Sequence, residues 1–199
     1  MHSDWPFADY PKERVDHSQD VVYLLDPEFR IIYCNPAWDT FAIQNKGYSA
    51  RCQNVSGTDL FSYITEDLQP AYVSAFASAR ILGRCELRFE CSSPSQYRHF
   101  RMRIRLLRQG YAVMNSLEVE RRHDRETLQP DYSHFERGAI TLCAGCRRTK
   151  NRYTPDRWDW VPYFLNDGFV SVAHRLCPAC SVYYGAAVPS PEQRGKLAS

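Results

Sequence analysis

Val21-Val22-Tyr23-Leu24-Leu25-Asp26-Pro27-Glu28-Phe29-Arg30-Ile31-Ile32-Tyr33-Cys34-Asn35-Pro36-Ala37-Trp38 spells two strands and the start of a helix in one continuous stretch. The β-branched and aromatic run from Val21 to Leu25 reads as a strand, closed by the turn-forming pair Asp26-Pro27. Phe29 to Cys34 is a second short apolar run, so Asp26-Pro27-Glu28 reads as the connection of a β-hairpin. Asn35 then supplies an N-cap, and Pro36 suits the first helical position, where its missing N–H costs nothing. Ala37, Trp38, Phe41 and Ala42 follow at helical spacing.

Working outward, Gly57-Thr58-Asp59-Leu60-Phe61 leads to the capping signal Thr65-Glu66-Asp67. From there Leu68, Tyr72, Val73, Phe76, Ala77 and Leu82 mark a longer amphipathic helix ending near Gly83. Three strands are expected next, at Cys85 to Cys91, Tyr97 to Leu106 and Gly110 to Val119. In the middle one Phe100, Met102, Ile104 and Leu106 alternate with His99, Arg101, Arg103 and Arg105, so one face meets a core. Glu86, Arg88 and Glu90 alternate with Leu87 and Phe89, which offers the arginines cross-strand ion pairs. Two strands, a set of helices and three strands predict an α+β fold: a five-stranded antiparallel sheet with helices on one face.

Residues 20–118 resemble a PAS domain. The resemblance rests on Leu25-Asp26 before the hairpin turn, on Ile32-Tyr33-Cys34-Asn35-Pro36-Ala37-Trp38 entering the first helix, and on Gly57-Thr58-Asp59-Leu60 before Glu66-Asp67. It implies a sensory or dimerisation domain with a cavity between sheet and helices, in which relatives hold haem, flavin or small organic acids. The helix from Leu68 to Leu82 offers no histidine, and His99 points outward on alternation, which argues against haem. The reactive-cysteine motif of flavin photosensors is absent. Trp38, Phe41, Phe61, Tyr72, Phe76, Phe89, Phe100 and Met102 read as core, and the identity of any cavity ligand is not written in the sequence.

With 199 residues, 44% hydrophobic and 24% charged, the chain can bury a core in one domain or two, and global disorder is excluded. A formal net charge of +2 announces neither a nucleic-acid nor a membrane surface. No apolar run reaches the roughly 18 residues of a bilayer span. Met1-His2-Ser3-Asp4-Trp5-Pro6 lacks the basic start and apolar run of a signal peptide, so a cytoplasmic location is expected. Residues 1–19 read as a leader with single helical turns, and residues 119–137 as a charged linker containing Pro130.

In a reducing compartment closely spaced cysteines point to metal rather than disulfides. Of eight cysteines, Cys34, Cys52, Cys85 and Cys91 share no spacing and read as packing or surface residues. Cys143, Cys146, Cys177 and Cys180 form two C-x-x-C pairs thirty residues apart. Two intervening residues let a tight turn aim both sulfurs at one ion, and two such turns complete a tetrahedron. Zinc is expected, because it accepts four thiolates in a closed structural site. An iron–sulfur cluster takes the same ligands, and a dithiol or disulfide pair is the plain alternative.

The intervening Trp158, Trp160, Val161, Tyr163, Phe164, Leu165, Phe169 and Val170 are too few for a core without a cross-link, so metal binding would be folding for a module at 138–185. Residues 140–184 resemble a zinc-binding tail that follows sensory and receiver domains in bacterial signalling proteins. The matching features are Cys143 and Cys146 with Arg147-Arg148, then Trp158 and Tyr163, then His174-Arg175-Leu176-Cys177-Pro178-Ala179-Cys180. The loop from Asn151 to Asp156 departs from that pattern in having no glycine. His174 reads as a packed residue or a donor behind the ligands rather than a ligand. Residues 186–199 read as a flexible tail.

No nucleophile elbow, Gly-rich phosphate loop or His-Glu metal motif occurs, so no catalytic residue is assigned and no enzyme is expected. Arg147, Arg148, Lys150 and Arg152 raise a DNA-binding regulator as an alternative, without a helix-turn-helix or finger spacing behind it. The expectation is a signal-transduction protein in which a PAS-like domain is coupled to a zinc-stabilised interaction module, with a protein partner or homodimer and no membrane. An iron–sulfur or thiol redox sensor is the other alternative.

Overall fold

In a computed structural model of the chain, which describes residues 5–123, 126–165 and 171–185, helix α1 (Lys12–Asp16) precedes the hairpin strands β1 (Val21–Leu25) and β2 (Ile31–Cys34). Helix α2 (Pro36–Gln44) starts as expected, with the Asn35 side chain accepting from the Trp38 N–H. The short α3 (Cys52–Val55) and a single turn at Leu60–Tyr63 lead to α4 (Gln69–Leu82). Strands β3 (Arg84–Glu90), β4 (Gln96–Leu107) and β5 (Gly110–Arg122) complete a sheet in the order β2-β1-β5-β4-β3. β1 runs antiparallel to both β2 and β5. The predicted fold class is present, and β5 runs on to Arg122, beyond the Val119 expected.

At β1 and the start of β5 both faces of the sheet are buried, for different reasons. On β1, Tyr23 and Leu25 face the helices: Tyr23 meets Trp38 of α2 edge to face at 5.3 Å. Tyr111, opposite Leu25, meets Phe76 of α4 at 5.2 Å. Phe29 and Phe61 complete that aromatic cluster. Val22 and Leu24 point the other way and pack with Leu107 and Ala112 against Phe7, Tyr10 and Val15. The leader is therefore a lid on the second face. Its Trp5 indole donates to the carbonyls of Phe7 and Tyr10, closing the turn that presents those rings.

Asn35 ties these layers together. Only 1% exposed, it accepts from Val22 N–H as well as Trp38 N–H, and its amide donates to the carbonyls of Val15, Ser18 and Asp20. At the β4–β5 turn glycine is obligatory. A Cβ on Gly110, at φ 136°, would lie 1.9 Å from the Leu25 carbonyl oxygen.

The chain divides into two compact units: Met1–Ile64, Ala75–Arg88 and Arg101–Leu117, and Thr65–Ser74, Phe89–Phe100 and Glu118–Ser199. The second unit holds β6 (Phe135–Glu136), β7 (Ala139–Cys143), β8 (Thr149–Lys150), β9 (Trp158–Asp159), β10 (Ser171–Arg175) and α5 (Pro178–Gly185). Its strands lie in the order β10-β7-β8-β9, with β6 also on β7. Ile140, Leu142, Val161 and Phe164 form a small core, flanked by Leu128, Phe135 and Leu165. Trp160 is buried as expected, but Tyr163 is 57% exposed, because Phe164 fills the inward position of its turn. Phe169, Val170 and the tail at 186–199 lie outside the described residues.

Candidate metal centre

The parallel pairing of β10 with β7 assembles the cysteines. Its register sets Ser171 opposite Ala139 and Arg175 opposite Cys143, so two residues past Arg175 the chain delivers Cys177 beside the end of β7. The Ala144 N–H donates to the Arg175 carbonyl at 2.8 Å and extends that ladder into the first cysteine turn. Pro178 opens α5, which places Cys180 in the first turn of the helix.

The sulfurs of Cys143, Cys146, Cys177 and Cys180 all lie within 4.8 Å of one another, and those of Cys146 and Cys177 are 3.8 Å apart. Four sulfurs each about 2.3 Å from one tetrahedral ion stand about 3.8 Å apart, so the donor set fits a single metal ion. Backbone amides support it. The Cys143 sulfur accepts the N–H groups of Cys146 at 3.5 Å and Cys177 at 3.3 Å, and the Cys177 sulfur accepts that of Cys180 at 3.4 Å. Cys143, Cys146 and Cys177 are buried. Hydrogen bonds from the thiols of Cys146, Cys177 and Cys180, together with the Cys146 amide, hold Cys143 far below the usual thiol range. Hydrogen bonds from Cys146 and Cys180 leave Cys177 lowered to about 6, although Cys143 beside it acts in the opposite direction. Cys146 and Cys180 are pushed above the usual thiol range by the cysteines beside them, so the four cannot all ionise together unless a cation offsets their charge, which a bound metal would do.

The left-handed residue of the first cysteine turn is Arg147, at φ 63°. Gly145 is needed for space: a Cβ there would lie 2.8 Å from Tyr184 Cε2 and 2.9 Å from Cys180 Sγ. The glycine-free loop from Asn151 is held by side-chain chemistry instead, since Asn151 Oδ1 accepts the N–H groups of Tyr153 and Thr154. His174 stays out of the four-residue cluster; it is half-buried on β10, and burial lowers its pKa. Trp158 packs against the cysteines.

A buried polar group that sequence reasoning missed braces the same unit. His134, 2% exposed, accepts the Asp131 N–H at Nδ1, so Nε2 carries the proton it shares with Asp159 Oδ2 at 3.3 Å. Asn151 donates to that Asp159 oxygen and to Ser133 Oγ, while Arg157 holds the other oxygen at 2.8 Å. The signal available was Asp131-Tyr132-Ser133-His134, a capping box in an otherwise charged run.

The remaining predicted residues divide. Glu86 is shared by Arg101 at 3.7 Å and Arg103 at 3.5 Å, so the arginine stripe does make cross-strand ion pairs. Cys34, Cys52, Cys85 and Cys91 are free cysteines outside the cluster.

An antiparallel sheet with α2 and α4 on one face is what the resemblance of residues 20–118 implies. The sheet order β2-β1-β5-β4-β3 and the helices between β2 and β3 are present there. Two solved structures are similar to it. One is the PAS domain of a Colwellia psychrerythraea protein, 13% identical, covering 53% of this chain and 91% of that one at a TM-score of 0.40. The other is the photoactive yellow protein domain of the sensor histidine kinase Ppr from Rhodospirillum centenum, 14% identical, covering 55% and 95% at a TM-score of 0.39. No family model matches the chain, and no curated protein matches it. No helix among the described residues is long and apolar enough to cross a membrane.

Proposed function

We propose that this chain is a cytoplasmic signal-transduction protein, in which a PAS-like sensory or dimerisation domain acts through an interaction module stabilised by one zinc ion. The gathering of four cysteine sulfurs within 4.8 Å carries the reading. Zinc is favoured because several irons would spread thiolates bound to different ions, whereas this span suits one closed tetrahedral ion. When bound, the metal supplies no redox chemistry; it cross-links β7 and β10 to α5, and the chain's own residues provide the contact surface. A binding role rather than catalysis is favoured, and His134, the buried histidine of this unit, has both ring nitrogens engaged within it. Arg152 donates to the Phe135 carbonyl and stacks on Tyr153, so it contributes to the fold rather than to a free basic patch for DNA.

Elemental analysis with native mass spectrometry of the purified full chain tests this. One zinc per chain, a colourless sample and a dimer or partner complex are expected. A brown sample containing iron would replace the reading with a redox sensor, and the absence of dimer, ligand and partner at physiological concentrations would remove the signalling role.

A further inference from the structure

The aromatic cluster of Phe29, Phe61, Phe76 and Tyr111 fills the space between sheet and α4, with ring centroids 4.9 to 6.3 Å apart. A different cavity opens where the leader, the C-terminal part of α4 (Ser78 and Leu82) and strands β3 to β5 come together. It has a volume of about 880 Å³ and is lined by Tyr10 and Arg14 of the leader, by Arg84 and Glu86 of β3, and by Arg103 and Arg105 of β4. Ala112 and Met114 of β5 form an apolar floor. They pair with Leu24 and Val22, which places them on the face that the leader covers.

We propose that this groove binds a small anionic molecule with an apolar body, such as a medium-chain carboxylate. Charge selects the head. Four arginines and one glutamate line the groove, a local excess of +3, larger than the +2 of the entire chain. Glu86 is already divided between Arg101 and Arg103. Arg14 and Arg105 hold their guanidinium groups 5.6 and 5.9 Å from the Tyr10 ring centre, which fixes them while leaving their donors available to an acceptor. Size selects the body: small-molecule sites of about 300 to 1,000 Å³ are usual, with an apolar lining and few polar anchors. Because Tyr10 and Arg14 belong to the leader, occupancy is reported directly to the segment that lids the sheet. The site stands or falls independently of the metal centre.

Isothermal titration of the full chain with octanoate tests the proposal, with 1-octanol, inorganic phosphate and a hexaglutamate peptide as comparisons. Octanoate is expected to bind saturably and to weaken with rising salt. Arg84→Gln and Arg105→Gln are each expected to reduce its affinity about tenfold, while Arg30→Gln, outside the groove, leaves it unchanged. Weaker binding of both octanol and phosphate would show that head and body are each read. Absence of octanoate binding at millimolar concentration, equal binding by the arginine variants with unchanged circular dichroism, or tighter binding of the peptide would overturn it.

Discussion

Gly145 faces Tyr184 across the metal centre with no room for a methyl group between them. A Cβ at position 145 would sit 2.8 Å from Tyr184 Cε2 and 2.9 Å from Cys180 Sγ. Tyr184 is 5% exposed and cannot swing into solvent, so the strain falls on the cysteine. Gly145→Ala is expected to cost about 1–3 kcal/mol through overpacking and to weaken metal retention. Competition with a chromogenic chelator measures it, and wild-type retention in the variant would show that Tyr184 yields freely.

The four cysteines are chemically alike but not equally placed. Cys143 is fully buried and its sulfur accepts two backbone N–H groups, whereas Cys180 is part-exposed. Cys143→Ser is therefore expected to unfold the second unit and lose the metal. Cys180→Ser should retain a weaker site, with affinity reduced by more than the roughly 100-fold that losing an outer partner of a ligand can cost. Native mass spectrometry of the two variants decides it, and equal loss would mean that burial and the amide donors set no hierarchy among the four.

Asn35 shows where the sequence stops being legible. The N-cap could be read from Asn35-Pro36, because capping is local and its partners lie within three residues. The other bonds of that side chain reach Val15, Ser18 and Asp20, in a leader whose docking depends on the whole sheet. Phe29 is a similar case. Its strand-like neighbours predict an extended residue, yet it adopts φ 64° and turns its ring into the cluster with Phe76 and Tyr111. The cysteine quartet was legible because its spacing encodes a turn, while the His134–Asp159 pair was not, since its members are separated by a fold and not by a motif.

Asn35→Ala is expected to lower stability by about 2–4 kcal/mol, since it orphans buried partners in three layers at once. Asn35→Asp is the sharper test. It points a carboxylate oxygen at the three carbonyls that the amide now satisfies, so the variant should be worse than alanine at pH 7 and should recover as acid protonates it. Urea melts at pH 7 and pH 4 check both. A variant as stable as wild type at pH 7 would mean that the leader is not docked through this residue.

Asp159 gives the second unit a pH dependence of known sign. Burial opposes its ionisation, but hydrogen bonds from Arg157, Asn151 and His134 and the charge of Arg157 outweigh that, leaving its pKa below the ordinary 3.8. A carboxyl group with a folded pKa below its unfolded one contributes stability that is fully present above the unfolded value. That stability is lost as pH falls through the folded one. Asp159→Asn retains the shape and removes the charge, so it should cost about 1–3 kcal/mol at pH 7. Its stability difference from wild type should shrink as pH falls from 5 toward 2. Denaturant titrations across that range, followed by tryptophan fluorescence from Trp158 and Trp160, measure the gap; a gap independent of pH would mean that Asp159 acts through packing and not through its charge.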